Sequence, residues 1–232
     1  MTQALEALLF DLDGTLADTE EAHRQSFNEA FEAFDLAWEW DPALYKRLLT
    51  VSGGRERLFA YAPALQQDVL AHLHEETIAK LHAEKTKRYR AKVASGQLRL
   101  REGVAHLIES AQKAGLKLGL ATTTSKVNAK DLLARFFPGG NPFRAVVAGE
   151  DVGTRKPDPE VYLKALKALK AKPQASIAFE DSAPGLASAK AAGLRCVITP
   201  TSWTEDSDFK AADMIRPSLD GVTLAELKRL LA

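Results

Sequence analysis

From residue 104 to residue 198, short apolar runs alternate with helical patterns, and this alternation constrains the fold more than any other feature of the chain. A run over 6–10 leads, and further strand-like runs cover 116–121, 143–147, 176–179 and 194–198. Between them, residues 104–114, 126–137, 159–169 and 183–192 carry apolar residues at helical spacing, the first closing on Gly115 as a C-cap signal. A weak strand near Met214 and a short helix from Leu224 complete the series. Strands that alternate with helices predict a parallel sheet covered on both faces, an α/β, Rossmann-like core. In such sheets ligands bind beyond the carboxyl ends of the strands.

One stretch departs from the alternation. Between Ala17 and Ser95 no strand pattern occurs. Residues 20–36 place Ala22, Phe27, Ala30, Phe31 and Phe34 at spacings near three and four, and Trp38-Glu-Trp40-Asp41-Pro42 then interrupts the pattern. Asp41 and Pro42 read as an N-cap followed by proline at the first helical position, opening a helix to about Leu49. After a small cationic loop, Thr50 to Arg55, helices are expected over 55–61 and 66–93. The expected organisation is an α/β core of residues 1–16 and 97–232 with an all-helical insert over 17–96.

The chain of 232 residues carries 31 basic and 31 acidic side chains, so its formal net charge is zero. That balance argues against a nucleic-acid or membrane-surface binder, which would show a basic excess. It leaves open a small anionic ligand held by a few local cations. With a single cysteine, Cys196, an internal disulfide and a thiolate zinc cage are both excluded. No secretory signal and no bilayer-length apolar run is found, so the cytoplasm is the expected compartment.

Polar residues gather where the strands end. The run through Phe10 stops on Asp11-Leu12-Asp13-Gly14-Thr15, with two carboxylates at i and i+2, on one face of a strand. Asp-Gly after an apolar run is also a turn signal. An EF-hand loop fails, because its glycine and final acid positions hold Leu16 and Ala22. Thr122 follows the second run, Lys156 lies in the loop after the third, and Glu180-Asp181 ends the fourth. Each has a structural reading: Thr122 as a helix cap, Lys156 as a solvated loop residue, Glu180-Asp181 as cap and first-turn acids. Their coincidence at corresponding strand ends favours a common site. Clustered carboxylates with a lysine and a hydroxyl suit phosphoryl transfer assisted by a hard cation such as Mg²⁺. A carboxylate can act as nucleophile and a second as acid and base.

These residues, taken in order as Asp11-Leu-Asp13-Gly14-Thr15, Thr122, Arg155-Lys156-Pro157 and Glu180-Asp181, resemble the four motifs of the haloacid dehalogenase superfamily of phosphohydrolases. The insert resembles that family's C1-type cap domain. Ala17 to His23, Trp38-Glu-Trp40, Ser52 to Arg57, Ala121 to Ser125 and Ala192 to Cys196 are further similar to the CbbY-type sugar-phosphate phosphatases. The resemblance implies Asp11 as nucleophile and Asp13 as general acid/base. It implies Mg²⁺ on Asp11, the Asp13 carbonyl and Asp181, with Glu180 at or just outside the metal's ligands. Thr122, Thr123 and Lys156 would bind the phosphoryl group, while Glu20, His23, Gly53, Gly54 and Arg55 would contact the sugar. The implied activity is dephosphorylation of a small sugar phosphate, xylulose 1,5-bisphosphate above others. A β-phosphoglucomutase-like mutase is the enzymatic alternative, since those enzymes share the cap type and a histidine at the place of His23. A non-catalytic sugar-phosphate sensor is the third reading, against which the intact set of Asp11, Asp13, Lys156 and Asp181 argues. A small phosphorylated sugar is the expected partner of a monomer in the cytoplasm, or in an organelle stroma for a plastid protein. Arg24, Arg57, Lys85 and Arg88 of the insert are expected on solvated helix faces.

Overall fold

The computed structural model describes residues 4–61 and 75–231. In chain order it contains β1 (Ala7–Phe10), α1 (Glu20–Ala33), α2 (Pro42–Leu48), α3 (Gly54–Tyr61) and α4 (Glu75–Ala94). It continues with α5 (Val104–Lys113), β2 (Lys117–Ala121), α6 (Lys126–Phe136), β3 (Ala145–Val147) and α7 (Glu160–Leu169). It ends with β4 (Ser176–Glu180), α8 (Ala183–Ala191), β5 (Arg195–Ile198), β6 (Met214–Ile215) and α9 (Leu224–Arg229). The part of the expected fourth helix over 66–74 lies outside the described residues. Two compact units result: Met1–Asp18 with Arg99–Ala232, and Thr19–Leu98.

The first unit is built on a six-stranded sheet in the order β3-β2-β1-β4-β5-β6, and every pairing is parallel. β1 is central, fully buried, and in register with both neighbours, Phe10 standing beside Leu120 and Phe179. Its run of apolar residues follows from that position, because a strand covered on both faces has no polar side to alternate with. On one face Ala7, Leu9, Ala121, Ala178 and Cys196 pack with Val161, Tyr162, Ala165 and Leu166 of α7 and Leu186 and Ala189 of α8. Within the same unit, Phe10 stacks on Phe179, with ring centroids 4.5 Å apart, and meets the edge of Phe143. Truncating Phe10 to alanine would cost about 3–5 kcal/mol by loss of burial and cavity formation.

The second unit is helical among its described residues. Asp41 caps α2 by accepting from the Leu44 amide at 2.7 Å, with Pro42 at the first helical position. Trp40 does more than end a helix. It is fully buried against Phe27, Phe31, Tyr45 and Tyr61, and Asn28 pairs with both its backbone N–H and its carbonyl. Two cations expected on solvated faces are instead interior. Lys85 is 3% exposed, with its Nζ 2.7 Å from His23 Nδ1 and over the rings of Phe27 and Tyr89. Arg57 is 8% exposed and donates to the carbonyls of Leu48 and Val51 and to the Tyr45 hydroxyl. Their aliphatic stems and cation–π contacts offset the burial that a charge census alone would forbid.

Candidate active site

The order of strands in the sheet converts four separate motifs into one cluster. β2, β1 and β4 are adjacent and run the same way, so Thr122, Asp11 and Glu180 leave the sheet at the same edge. The Asp11 amide still donates to the Phe179 carbonyl at 3.0 Å, and the Thr122 amide to the Val147 carbonyl at 3.0 Å. Both residues are thus held by the ends of the ladder rather than by flexible loops.

Lys156 joins them from the loop after β3. Its Nζ donates to Asp11 Oδ1 at 2.6 Å and to Glu180 Oε1 at 2.5 Å, and all three side chains are buried. A lysine has three donors, so one N–H is left for a further acceptor after these two bonds. Despite the cost of burial, the Asp11 and Glu180 charges raise the lysine above its ordinary pKa, so it stays protonated. Tyr162 of α7, also buried, donates its hydroxyl to the same Glu180 Oε1 at 2.7 Å. Glu180 Oε2 lies under the start of α8, where a Cβ on Gly185 would come within 1.9 Å of it. Glycine at 185 is therefore what lets the helix approach the carboxylate.

Asp181 follows at once, 4% exposed, just ahead of Ser182, which caps α8 by accepting from the Gly185 amide. Asp11, Glu180 and Asp181 each bring a carboxylate oxygen within 4.8 Å of the others. Burial pushes the Asp11 carboxyl up to about 8, Glu180 acting in the same direction and Lys156 against both. The cluster thus sets three carboxyl groups beside one lysine, with oxygen donors only. A hard divalent cation fits this set, and Mg²⁺ in particular takes few carboxylates beside phosphate oxygens and water.

Asp13 lies half-buried in the turn beyond β1. The Gly14 amide donates to the Ala17 carbonyl at 2.8 Å, and Gly14 takes φ +83°. A Cβ at Gly14 would fall 2.2 Å from Asp181 Oδ2, so the turn packs directly on that carboxylate. Thr122 Oγ1 accepts from the Thr124 amide at 3.1 Å, and Arg155 donates to the Thr123 carbonyl, which braces the loop after β2.

Within this unit the structure brings together Asp11, Lys156, Glu180 and Asp181, with Asp13 in the turn after β1 and Thr122 at the end of the adjoining β2. The residues expected to contact the sugar belong to the helical unit. Glu20 accepts from the Tyr45 hydroxyl at 2.8 Å, while His23 is buried against Lys85 and stacked on Tyr89 at 3.9 Å. Gly53 takes φ +98° and precedes α3. Gly54 opens that helix, where a Cβ would stand 2.9 Å from His82 Nε2. Arg55, expected where the loop gives way to a helix, lies in the first turn of α3 and pairs with Glu75 at 2.6 Å. Two residues were not singled out by sequence: Tyr162 and Arg101. Arg101 donates to the carbonyls of Gly14, Thr199, Pro200 and Pro217. A buried tyrosine or a lone arginine has no local pattern that announces so distant a partner.

Residues 8–199 match the family model of the haloacid dehalogenase-like hydrolases. The chain is 46% identical over 228 residues to protein CbbY of Rhodobacter capsulatus, covering 97% of this chain and 99% of that protein. It is similar to the crystal structure of CbbY from Rhodobacter sphaeroides in complex with phosphate, at TM-score 0.90 and 41% identity, covering 96% of this chain and 99% of that one. A mutant of the latter in complex with xylulose-(1,5)bisphosphate aligns at TM-score 0.90 and 40% identity, over the same shares.

Proposed function

The chain belongs to the haloacid dehalogenase-like hydrolase family, and from that premise we propose that it is a Mg²⁺-dependent phosphatase of a small phosphorylated sugar, with xylulose 1,5-bisphosphate as its substrate. The observation that carries the reading is the buried Asp11–Lys156–Glu180 bridge beside Asp181, a nucleophile, a cation and two further acids at one sheet edge. The relative crystallised with xylulose-(1,5)bisphosphate supports the choice of sugar.

Asp11 attacks the phosphorus and becomes an aspartyl phosphate, while the P–O bond to the sugar breaks. Asp13 gives its proton to the departing sugar oxygen and so avoids release of an alkoxide. The same carboxylate then takes a proton from water, which attacks the aspartyl phosphate and returns Asp11 with inorganic phosphate. Lys156 holds Asp11 in line and offers its remaining N–H to a phosphoryl oxygen, as Thr122 does with its hydroxyl. Asp11, Asp181, the Asp13 carbonyl and, directly or through water, Glu180 would hold Mg²⁺, which supplies positive charge against the phosphoryl oxygens. Tyr162 and Lys156 together fix the Glu180 carboxylate. The helical unit would act as the cap, with Glu20, His23, Gly53, Gly54 and Arg55 meeting the sugar, and Thr123 beside the phosphate.

Phosphate release tests the reading across sugar mono- and bisphosphates, with Mg²⁺ and with a chelator. Turnover of xylulose 1,5-bisphosphate in Mg²⁺, lost on chelation and in Asp11→Asn, is the expected result. Isomerisation of a hexose 1-phosphate without phosphate release would replace the phosphatase by a mutase.

A further inference from the structure

Arg101 has no role in the chemistry above, yet its side chain donates five hydrogen bonds. One guanidinium nitrogen donates to the carbonyl of Gly14, to the carbonyl of Thr199 at 2.7 Å and to Thr199 Oγ1 at 3.1 Å. The other donates to the carbonyls of Pro200 at 2.8 Å and Pro217 at 3.2 Å. Its backbone amide donates to the Leu16 carbonyl at 2.8 Å, and Ala17 bridges to Leu100. One residue therefore grips the turn after β1 at two points and ties it to the segments that follow β5 and β6.

We infer that Arg101 is a positioning residue for the metal site: by clamping the Gly14 carbonyl it fixes the Asp13–Gly14 turn against Asp181. This rests on the reading that Asp11, the Asp13 carbonyl and Asp181 hold a divalent cation. The peptide that carries the Asp13 carbonyl is held on its other side, where the Gly14 amide donates to the Ala17 carbonyl. The next peptide is held by Arg101. With both fixed, the Asp13 carbonyl has one direction in which to point. The turn cannot shift toward Asp181, since a Cβ-sized displacement at Gly14 already reaches its Oδ2. Arg101 prevents the opposite shift, away from the carboxylate.

A planar fork is what this task needs, because several carbonyls converge on it from different segments. Lysine keeps the charge near Asp181 but presents a single ammonium on a shorter stem. Charge removal by itself would favour cation binding, whereas loss of the clamp would weaken it. Arg101→Lys therefore isolates the geometric effect from the electrostatic one.

The test measures Mn²⁺ affinity of the full chain by electron paramagnetic resonance, alongside the thermal midpoint. Wild type, Arg101→Lys, Arg101→Gln and Thr199→Val are compared. Thr199→Val removes one acceptor of the guanidinium and leaves the Gly14 bond in place. The expected result is Mn²⁺ affinity lowered about tenfold in Arg101→Lys and Arg101→Gln, the order of one lost charge-assisted hydrogen bond. Thr199→Val is expected to bind Mn²⁺ within about twofold of wild type while losing some thermal stability. Unchanged affinity in both Arg101 variants overturns the inference, as does equal weakening in Thr199→Val, which would mean general loosening. Failure of both Arg101 variants to fold also overturns it, by placing the residue in the fold rather than in the site. Wild type that binds no Mn²⁺ contradicts the metal site itself, a separate outcome.

Discussion

The Lys156 ammonium stands 2.6 Å from Asp11 Oδ1 in a site where neither side chain is more than 9% exposed. A charge pair so deeply buried contributes little net stability compared with an apolar pair, but breaking it is costly, since the partner is left charged and dry. Lys156→Ala leaves Asp11 and Glu180 without the ammonium that both contact. The expected loss is about 3–5 kcal/mol of folding stability together with activity, read by chemical denaturation and phosphate release. Added Mg²⁺ is expected to recover part of the stability by binding the native carboxylates. A denaturation midpoint equal to that of wild type would contradict the pairing.

Asp13 is expected to matter in proportion to the difficulty of the leaving group. A sugar alkoxide needs a proton as the P–O bond breaks, and an activated aryl oxide does not. Asp13→Asn is expected to lower turnover of a sugar phosphate by about 10²–10⁴-fold and to spare phosphorylation by an aryl phosphate. Pre-steady-state kinetics on both substrates separate these; equal losses would assign Asp13 to the metal or to the turn alone.

Asp213, just before β6, shows how the far edge of the sheet is held. Its carboxylate accepts from Lys190 of α8 at 2.6 Å, from the Arg195 side chain at 2.9 Å and from the Cys196 amide at 2.8 Å. Partial burial opposes ionisation, but these donors outweigh it and hold the carboxyl below its ordinary value of 3.8. A depressed carboxylate contributes stability above the unfolded pKa and loses it as pH falls through the folded one. Asp213→Ala is therefore expected to be about 1–3 kcal/mol less stable at neutral pH, with the gap closing below about pH 4. Urea denaturation at a series of pH values checks it; a gap that persists undiminished into acid would show that the loss is not ionic.

Arg55 is a case where stability and specificity can be told apart. Its ion pair with Glu75 is exposed, with side chains 40% and 79% accessible, so the pair itself is worth at most about 1 kcal/mol. If Arg55 seats the remote phosphate of a bisphosphate, Arg55→Ala lowers kcat/KM on that substrate by about 2–4 kcal/mol. A small aryl phosphate would be little affected, and the thermal midpoint would barely move. Equal losses on both substrates would place Arg55 outside substrate recognition.

What was legible in the chain divides along physical lines. Local signals announced the elements: Asp41-Pro42 does cap a helix, and the runs at 6–10 and 176–179 are the strands Ala7–Phe10 and Ser176–Glu180, both fully buried. The strand-end rule then placed Asp11, Thr122, Glu180 and Asp181 at one edge, because parallel pairing fixes which ends coincide. Charge placement was less legible. Lys85 and Arg57 look like solvated positions in two helices rich in polar residues, and the aromatic rings of Phe27, Tyr45 and Tyr89 reveal why they are inside. The helix expected from Arg55 is present and starts one residue earlier, at Gly54. The bonds of Arg101 to residues 14, 199, 200 and 217 span most of the chain, and no pattern over a few residues encodes them.

The central claim is that Asp11 carries the phosphoryl group during turnover. Acid quenching of the enzyme during turnover of a phosphorylated sugar in Mg²⁺, followed by peptide mass spectrometry, tests it directly. The account predicts one added phosphoryl group on the peptide containing Asp11, absent in Asp11→Asn and absent without the metal. Phosphate release from substrate by a folded Asp11→Asn protein at the wild-type rate, or a phosphoryl group found on another residue, would contradict it.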